Sequence, residues 1–261
     1  MDLARALGVE RGLTCVVGAG GKKTALYALA RQLDRAVLTA TVRIPLFDRE
    51  VSAVHTVNDP VAALSERTGG WPLGLVPERE GSRYLGYEPE IVDALAAAHD
   101  GPVLVKADGA RTREFKAPGQ NEPQIPVGTD VVVPVASVDV VARPLSEEHV
   151  HRPDRVAELT GLERGDPVTP EAVANVLAHP DGGLKGVPRG ASVVPVLNKV
   201  DDATDEAVAR TIAARLFERL EGTDASTERS GGVAVPRIVL ARLIEPAVID
   251  VIDRTDASVP N

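Results

Sequence analysis

Lysine is scarce in this sequence, and the few lysines stand beside glycines and single acids. Six of the 29 basic residues are lysine, against 38 Asp and Glu residues. Two of them close the run Gly18-Ala-Gly-Gly-Lys-Lys-Thr24, and the others are Lys106, Lys116, Lys185 and Lys199. A lysine ammonium is a compact charge that can reach phosphate oxygens. This placement therefore indicates phosphate handling.

The glycine-rich run lies between an apolar segment predicted as a strand and an Ala/Leu segment predicted as a helix. In that context glycines let backbone N–H groups approach phosphates, and the helix N-terminus adds a favourable dipole. The residues predicted to bind nucleotide phosphates here are Gly18, Gly20, Gly21, Lys22, Lys23 and Thr24. The spacing is closer to the Gly-x-x-Gly-Lys-Thr-Thr loop of the Mur ligases than to the longer P-loop pattern. The alternative is a glycine-rich turn with solvated lysines.

Asp108 lies two residues after a second apolar run, Pro102–Lys106, and is followed by Gly109. In nucleotide-binding sheets an acid in this position lies beside the phosphate loop and holds Mg²⁺, directly or through water. We therefore predict that Thr24 and Asp108 bind Mg²⁺ and that Lys22 and Asp108 are the catalytic groups. The alternatives for Asp108 are an ion pair with Lys106, which shares its face of the strand, and a simple turn role.

A third apolar run leads into Asn198-Lys-Val-Asp201, which matches the Asn-Lys-x-Asp element of GTP-binding proteins. An ionised Asp201 could accept hydrogen bonds from guanine N1–H and its 2-amino group, and Asn198 and Lys199 would contact the purine. Polar groups left unpaired by the wrong base would provide the discrimination. The element predicts a nucleoside triphosphate, with GTP favoured over ATP. The alternative places Asp201 in an Asx turn or at a helix N-cap.

Short β-branched runs alternate with helical segments, which predicts an α/β fold with a mostly parallel sheet flanked by helices, similar to P-loop NTPases. The predicted strands are Thr14–Val17, Ala36–Thr39, Pro102–Lys106, Asp130–Val135, Ser192–Leu197 and Arg237–Ala241. The predicted helices are Lys22–Leu33, Glu88–His99, Pro170–Ala178, Thr204–Leu220 and Leu243–Ile252, with Asp59 as the cap of a short helix that Pro60 begins. We expect one domain over residues 1–261, with loop excursions near 66–87 and 221–232.

Composition narrows the classes of partner. A formal net charge of −9 argues against nucleic acid or an anionic membrane as the main partner. Cys15, the single cysteine, excludes an intramolecular disulfide and is expected to be a buried strand residue. No signal peptide is recognisable, and no stretch approaches the ~18 apolar residues of a membrane span. We expect a soluble, cytoplasmic protein.

Taken together, these segments resemble the YqeC family of accessory proteins for selenium-dependent molybdenum hydroxylases. The similar segments, in order, are Gly18–Lys22, Thr39–Arg43, Ala107–Arg111, Lys116–Pro118, Glu122–Pro123, His151–Pro153, Gly182–Gly186 and Asn198–Asp201. The resemblance implies a role in selenium-cofactor maturation, with a molybdenum hydroxylase or a selenium-cofactor protein as partner. The chain departs from the family pattern at Lys23 and Lys106, where the family carries Thr and Glu, groups that could serve a metal.

The sequence thus predicts a nucleotide-binding, NTP-hydrolysing accessory factor that uses Mg²⁺, with Arg111 as a further nucleotide contact. One alternative is a non-hydrolysing scaffold for a nucleotide or a molybdopterin-type cofactor. Another is a kinase or ligase that acts on a small acid. Thr39 and Thr41 end the second strand, where they could meet Mg²⁺ or serve as ordinary strand residues. His149 and His151 lack a third ligand at metal-binding spacing.

Overall fold

A ten-stranded sheet forms the centre of the computed structural model, which describes residues 1–66, 70–224 and 233–254. The strands are β1 (Leu13–Gly18), β2 (Val37–Ala40), β3 (Ile44–Pro45), β4 (Ala53–Thr56), β5 (Leu73–Val76), β6 (Arg79–Glu80), β7 (Arg83–Tyr84), β8 (Val103–Lys106), β9 (Phe115–Lys116), β10 (Val131–Ser137), β11 (Val150–His151), β12 (Ser192–Val193), β13 (Val196–Asn198), β14 (Arg237–Arg242) and β15 (Ala247–Asp253). The helices are α1 (Leu3–Leu7), α2 (Lys22–Gln32), α3 (Pro60–Ser65), α4 (Pro89–Ala97), α5 (Pro153–Thr160), α6 (Pro170–Ala178) and α7 (Ala203–Asp224).

The main sheet is parallel except at one edge, so the predicted α/β class is confirmed. Its order is β15-β14-β13-β10-β1-β8-β2-β5-β4, with β12 also paired to β10, and only β14 and β15 run antiparallel. Strand β1 lies centrally between β10 and β8, where Gly18 is level with Val135 and Val16 with Lys106. The carboxyl ends of the parallel strands therefore meet at one edge, where α/β sheets bind ligands.

Side chains alternate between the two faces of the sheet. Leu13, Cys15 and Val17 of β1 pack in the core that α4, α6 and α7 cover, while Val16 packs in a second core with α1 and α2. In β8, Val103 and Val105 belong to the first core and Leu104 to the second. Lys106 therefore continues the face of β8 that α2 covers.

One predicted helix is wrong. Residues predicted as a helix over Leu243–Ile252 instead contain β15, which pairs antiparallel with β14 at the edge of the sheet. Four of its residues are β-branched, a composition that suits a pleated, half-buried surface. These residues form a strand because they pair with the free edge of β14. The local Ala/Leu spacing carries no information about that partner.

The predicted excursion over residues 66–87 is only partly right, and the described part of the excursion over 221–232 is helical. Residues 66–87 contain the β6–β7 hairpin, but they also contain β5, a fully buried strand between β2 and β4 in the main sheet. At only four residues, one of them a glycine, β5 carries a weak pattern. Residues 221–224 continue helix α7, and residues 225–232 lie outside the described residues.

The other predicted elements are confirmed to within a few residues, except that the predicted strand Ser192–Leu197 is divided into β12 and β13. Pro170–Ala178 has the predicted bounds. Asp59 caps α3 as expected, because its carboxylate accepts from the N–H groups of Val61 and Ala62. The patterns did not predict α1, β4 or α5. Among the residues that the structure describes, no helix has the length and apolar character needed to cross a membrane.

Candidate functional site

Three predicted segments meet at the carboxyl edge of the sheet. The glycine loop follows β1, Asp108 follows the neighbouring strand β8, and Asn198 ends β13 on the other side of β10. Parallel pairing alone places these strand ends side by side. Hydrogen bonds then join the segments: Gly18 N–H donates to Asp108 over 2.9 Å, and Asn198 Nδ2 donates to the carbonyl of Gly20 over 2.7 Å.

The glycine loop is packed too closely for a side chain at any of its three glycines. Gly18, Gly20 and Gly21 have φ values of 90°, 78° and 138°, which residues with a Cβ rarely adopt. A Cβ on Gly18 would lie 2.3 Å from the carbonyl oxygen of Val135. A Cβ on Gly21 would lie 2.3 Å from Asn198 Nδ2. The glycines are thus required by the packing of the loop against β10 and β13.

The loop uses its first N–H groups within the protein. Gly18 N–H donates to Asp108. Ala19 N–H donates to the backbone carbonyl of Val135, and Gly20 N–H donates to the backbone carbonyl of Arg113, both over 2.8 Å. The first turn of α2 differs, because a helix leaves its first N–H groups without intrahelical partners. Its N-cap is Gly21, which has no side chain to accept them. The donors that this loop can offer a ligand are therefore those at the start of α2.

Asp108 is the centre of a buried charge cluster. Its side chain is 2% exposed and accepts from Lys22 on one oxygen and from Lys116 and Gly18 N–H on the other, the last two over 2.8 and 2.9 Å. Lys22 also donates to the Gly18 carbonyl and is itself buried. The sequence alternative of a glycine-rich turn with solvated lysines is therefore wrong for Lys22, which forms a buried ion pair with Asp108.

The alternative pairing of Asp108 with Lys106 is wrong. Lys106 Nζ instead donates to the carbonyl of Arg43 over 2.8 Å, at the beginning of β3. Asp108 has its two cations from α2 and β9, and these approach from elsewhere in the chain. Lys106 shares a strand face with Asp108 and lies near the cluster, but it does not pair with the Asp108 carboxylate.

Glu122 extends the cluster, and sequence reasoning did not single it out as a site residue. Its Oε2 accepts from Lys116 over 2.8 Å and from Arg152 over 2.7 Å, and its Oε1 accepts from Gly109 N–H over 3.3 Å. Lys116 thereby bridges Asp108 and Glu122. The sequence signals were the scarcity of lysine, the proline that follows Glu122 and the place of Glu122–Pro123 among the segments that carry the family resemblance. None of them identifies the pairing.

Burial and the neighbouring charges shift the pKa values in this cluster. Burial alone would raise the pKa of Asp108, but the attraction of Lys22 and Lys116 outweighs it and holds the pKa below the ordinary carboxyl value. For Glu122, bonds from Arg152 and Lys116 outweigh the effect of burial and lower the pKa to about 2. Burial, followed by repulsion from Lys22, lowers the pKa of Lys106 to about 7. The carboxylates are thus held ionised in a surplus of positive charge.

Asn198 connects loops at this edge. Besides its bond to Gly20, its Oδ1 accepts from the N–H of Leu243 over 3.0 Å, so the amide ties the glycine loop to the end of β14. Lys199 has a left-handed φ of 64° and pairs with Asp139 and Glu114 at 2.8 and 2.9 Å. The observed role of Asn198 is therefore to tie two loops together, which the Asn of the guanine-binding element also does.

Asp201 is exposed, and its backbone N–H donates to Asp205 over 3.1 Å. Helix α7 is capped instead by Asp202, whose Oδ1 accepts from the N–H groups of Thr204 and Asp205. The N-cap alternative for Asp201 is therefore wrong, by one residue. Its carboxylate lies at the surface beyond the end of β13.

Two comparisons with known proteins found sequences similar to this chain. A family model described as "YqeC protein" matches residues 14–154. The Escherichia coli (strain K12) "Uncharacterized protein YqeC" is 30% identical over 203 residues, which cover 75% of this chain and 78% of that protein. The chain belongs to the YqeC family. The predicted resemblance is confirmed, and the matched residues include the glycine loop, Asp108, Glu122 and Arg152.

The remaining predicted residues of this YqeC-family protein have simpler environments. The hydroxyls of Thr39 and Thr41 donate to the carbonyls of Leu75 and Gln124, which is the ordinary structural alternative. Cys15 is fully buried as expected, and burial raises the pKa of its thiol to about 12. The side chains of Lys23 and Thr24 are half-buried in the first turn of α2, and Arg111 is exposed in the loop after β8.

An open polar cleft of about 610 Å³ adjoins the cluster of this YqeC-family chain. One wall is Thr41 and Val42 after β2, and the other is the loop that contains Glu122 together with Arg152. Lys185 holds that loop by donating to the carbonyls of Gly119 and Gln120. Because Glu122 contacts both Lys116 and Arg152, it links the cleft to the cluster around Asp108.

Proposed function

We propose that this YqeC-family protein binds a nucleoside triphosphate with Mg²⁺ and hydrolyses it as an accessory factor in the maturation of selenium-dependent molybdenum hydroxylases. The phosphates would lie at the start of α2, beside Lys22 and Asp108. The maturation role and the selenium-enzyme partner follow from the family resemblance. Nucleotide binding is supported by the chemistry of the site.

The observation that carries the proposal is the contact between Lys22 of the glycine loop and Asp108 of the adjacent strand, together with the bond from Gly18. A lysine and a carboxylate that neutralise each other can exchange partners with a magnesium–phosphate pair. The lysine would then contact phosphate oxygens and the carboxylate the cation. Charge-assisted bonds of this kind are among the strong ones in proteins.

The donor set suits a magnesium ion that arrives with the nucleotide. No group of three His, Cys, Asp or Glu residues that could hold a metal occurs in the described part of the chain. Mg²⁺ is usually bound through one or two carboxylates, substrate phosphates and water, so one carboxylate is enough. Asp108 would supply that carboxylate and Thr24 a hydroxyl. The ion would neutralise charge on the phosphates.

In hydrolysis, water would attack the terminal phosphorus and the bond to the bridging oxygen would break. The residues act by position and charge: Lys22 stabilises the phosphate oxygens, and the N–H groups of Lys23 and Thr24 contribute the positive end of α2. GTP is the favoured nucleotide, with Asp201 as the acceptor for guanine and Lys199 along the base. The tie from Asn198 to the glycine loop supports this assignment, since it sets the base-reading segment against the phosphate loop.

The test compares nucleotide binding by the wild type and Lys22→Ala in calorimetry with Mg²⁺. We expect the variant to lose one to two decades of affinity, because charge-assisted contacts contribute about 1.5–3 kcal/mol. The fold should persist, since Asp108 keeps Lys116 and Gly18. Exposed Arg5→Ala is the matched control for loss of a positive charge. Equal affinity in a folded Lys22→Ala protein would remove the loop from the site.

Two further measurements define the reaction. Competition between GTP and ATP tests the base, and Asp201→Asn should shift preference toward xanthine nucleotides, which offer an acceptor where guanine offers a donor. Equal affinities would leave Asp201 as a surface residue. Phosphate release without added substrate supports hydrolysis, whereas tight binding without release supports a scaffold for a nucleotide or a molybdopterin-type cofactor.

The polar cleft favours one second candidate, a kinase or ligase that acts on a small acid. Its volume of about 610 Å³ lies within the range of ligand-sized pockets, and its walls carry amide, hydroxyl, carboxylate and guanidinium groups. A small acid bound there would lie beside the proposed phosphate site. Nucleoside diphosphate that forms only after addition of small carboxylic acids would support this candidate over simple hydrolysis.

A further inference from the structure

The charge cluster holds more positive than negative charge. Its cations are Lys22, Lys106, Lys116 and Arg152, and its carboxylates are Asp108 and Glu122. Three of these cations are buried lysines, and they represent half of the lysines in a chain whose net charge is −9. Like charges repel strongly when they are desolvated. Such a surplus is unfavourable in a folded core unless an anion balances it.

Within the described residues, Lys106 is the cation of this cluster that pairs with no carboxylate. It is 6% exposed, and within the described part of the chain its ammonium contacts only a backbone carbonyl, that of Arg43. The charges that act on it are Lys22, Asp108, Lys116 and Glu122, and both carboxylates are already bonded to other cations. A buried ammonium has three donors, and a neutral carbonyl satisfies one of them.

We propose that Lys106 is a ligand for the anion at this site, so that the site binds a polyphosphate chain from β8 as well as from the glycine loop. The inference rests on the proposed function, since the same anion contacts Lys22. It adds a residue that the glycine loop does not contain, and it assigns the ligand class: an anion with more than one charge, because the cluster has two positive charges in excess when Lys106 is protonated, the form that a bound anion favours.

The experiment measures binding of inorganic tripolyphosphate without metal, and of Mg-GTP, to the wild type and to Lys106→Met by calorimetry. We expect Lys106→Met to bind both about 10- to 100-fold more weakly, the range for one charge-assisted contact. Exposed Arg5→Met is the matched control and should bind as the wild type does. Thermal unfolding in phosphate-free buffer accompanies the titrations, and there Lys106→Met should be at least as stable as the wild type, because it removes a repelled cation.

The outcomes separate the two proposals. If the wild type binds both probes and Lys106→Met binds them within twofold, Lys106 is no ligand, while the glycine-loop site stands. A wild type that binds neither probe would overturn the nucleotide site and this subsite together. A Lys106→Met protein that is clearly less stable than the wild type in phosphate-free buffer would make Lys106 a structural residue, which contradicts the inference.

Discussion

Asp108→Asn tests the charge cluster directly. The substitution keeps the shape of the side chain and removes the one negative charge that Lys22 and Lys116 share, while both ammoniums stay buried. An amide also offers a donor where one of the lysines needs an acceptor. We therefore expect the variant to lose stability even without nucleotide, in addition to any loss of magnesium-dependent binding.

The magnitude follows from the burial of the pair. The side chains of Lys22 and Asp108 are 5% and 2% exposed, and removing one partner of a buried ion pair costs about 3–5 kcal/mol. Lys116 keeps Glu122 and the Gly109 carbonyl, so the lower part of this range is expected. For a chain of this size, about 2–4 °C of melting temperature is lost per kcal/mol, or roughly 6–16 °C in total.

The assay is thermal and urea unfolding of the wild type, Asp108→Asn and the double variant Asp108→Asn/Lys106→Met. The double variant should recover part of the loss, because it removes a cation that the single variant leaves more strongly repelled. Asp154→Asn is the matched control, since Asp154 is exposed and pairs with Arg164 at the surface. A loss below about 1 kcal/mol for Asp108→Asn, or no recovery in the double variant, would refute the account of the cluster.

Three other outcomes follow from single side chains. The pKa of Glu122 lies at about 2 in the folded protein and at 4.5 without its partners. Its contribution to the free energy of unfolding is therefore present above pH 4.5 and is lost as the pH falls toward 2. Glu122→Gln should flatten that part of a stability–pH curve. Asp202→Ala should cost about 1 kcal/mol in urea unfolding, as the loss of an N-cap does, whereas Asp201→Ala should cost close to nothing, and equal effects would contradict the assignment. Asn198→Ala should cost about 2–4 kcal/mol by the same assay, because it leaves a buried donor and a buried acceptor without partners.

Local patterns in the sequence were sufficient to predict the central strands, most helices and the glycine loop. Each of those depends on a period or a turn that a few neighbouring residues define, as in the apolar run of β1 and the glycines that follow it. The edge strand β15 and the short strand β5 could not be predicted in this way. Whether such residues join a sheet depends on the free edge of β14 or β2, and that partner is distant from the local pattern.

The same division holds for the site. The sequence by itself determined which residue types were present: a loop with three glycines, an acid at a strand end and lysines beside both. Only the tertiary structure decided how the charges pair, because Lys22 and Asp108 are 86 residues apart and Asn198 and Gly20 are 178 apart. The sheet order brings these strand ends together, and Lys116 and Arg152 then approach the carboxylates from other elements. Packing brings Lys22, Lys116 and Arg152 into contact with the two carboxylates. It brings Lys106 to the carbonyl of Arg43 instead, so within the described residues Lys106 pairs with no carboxylate.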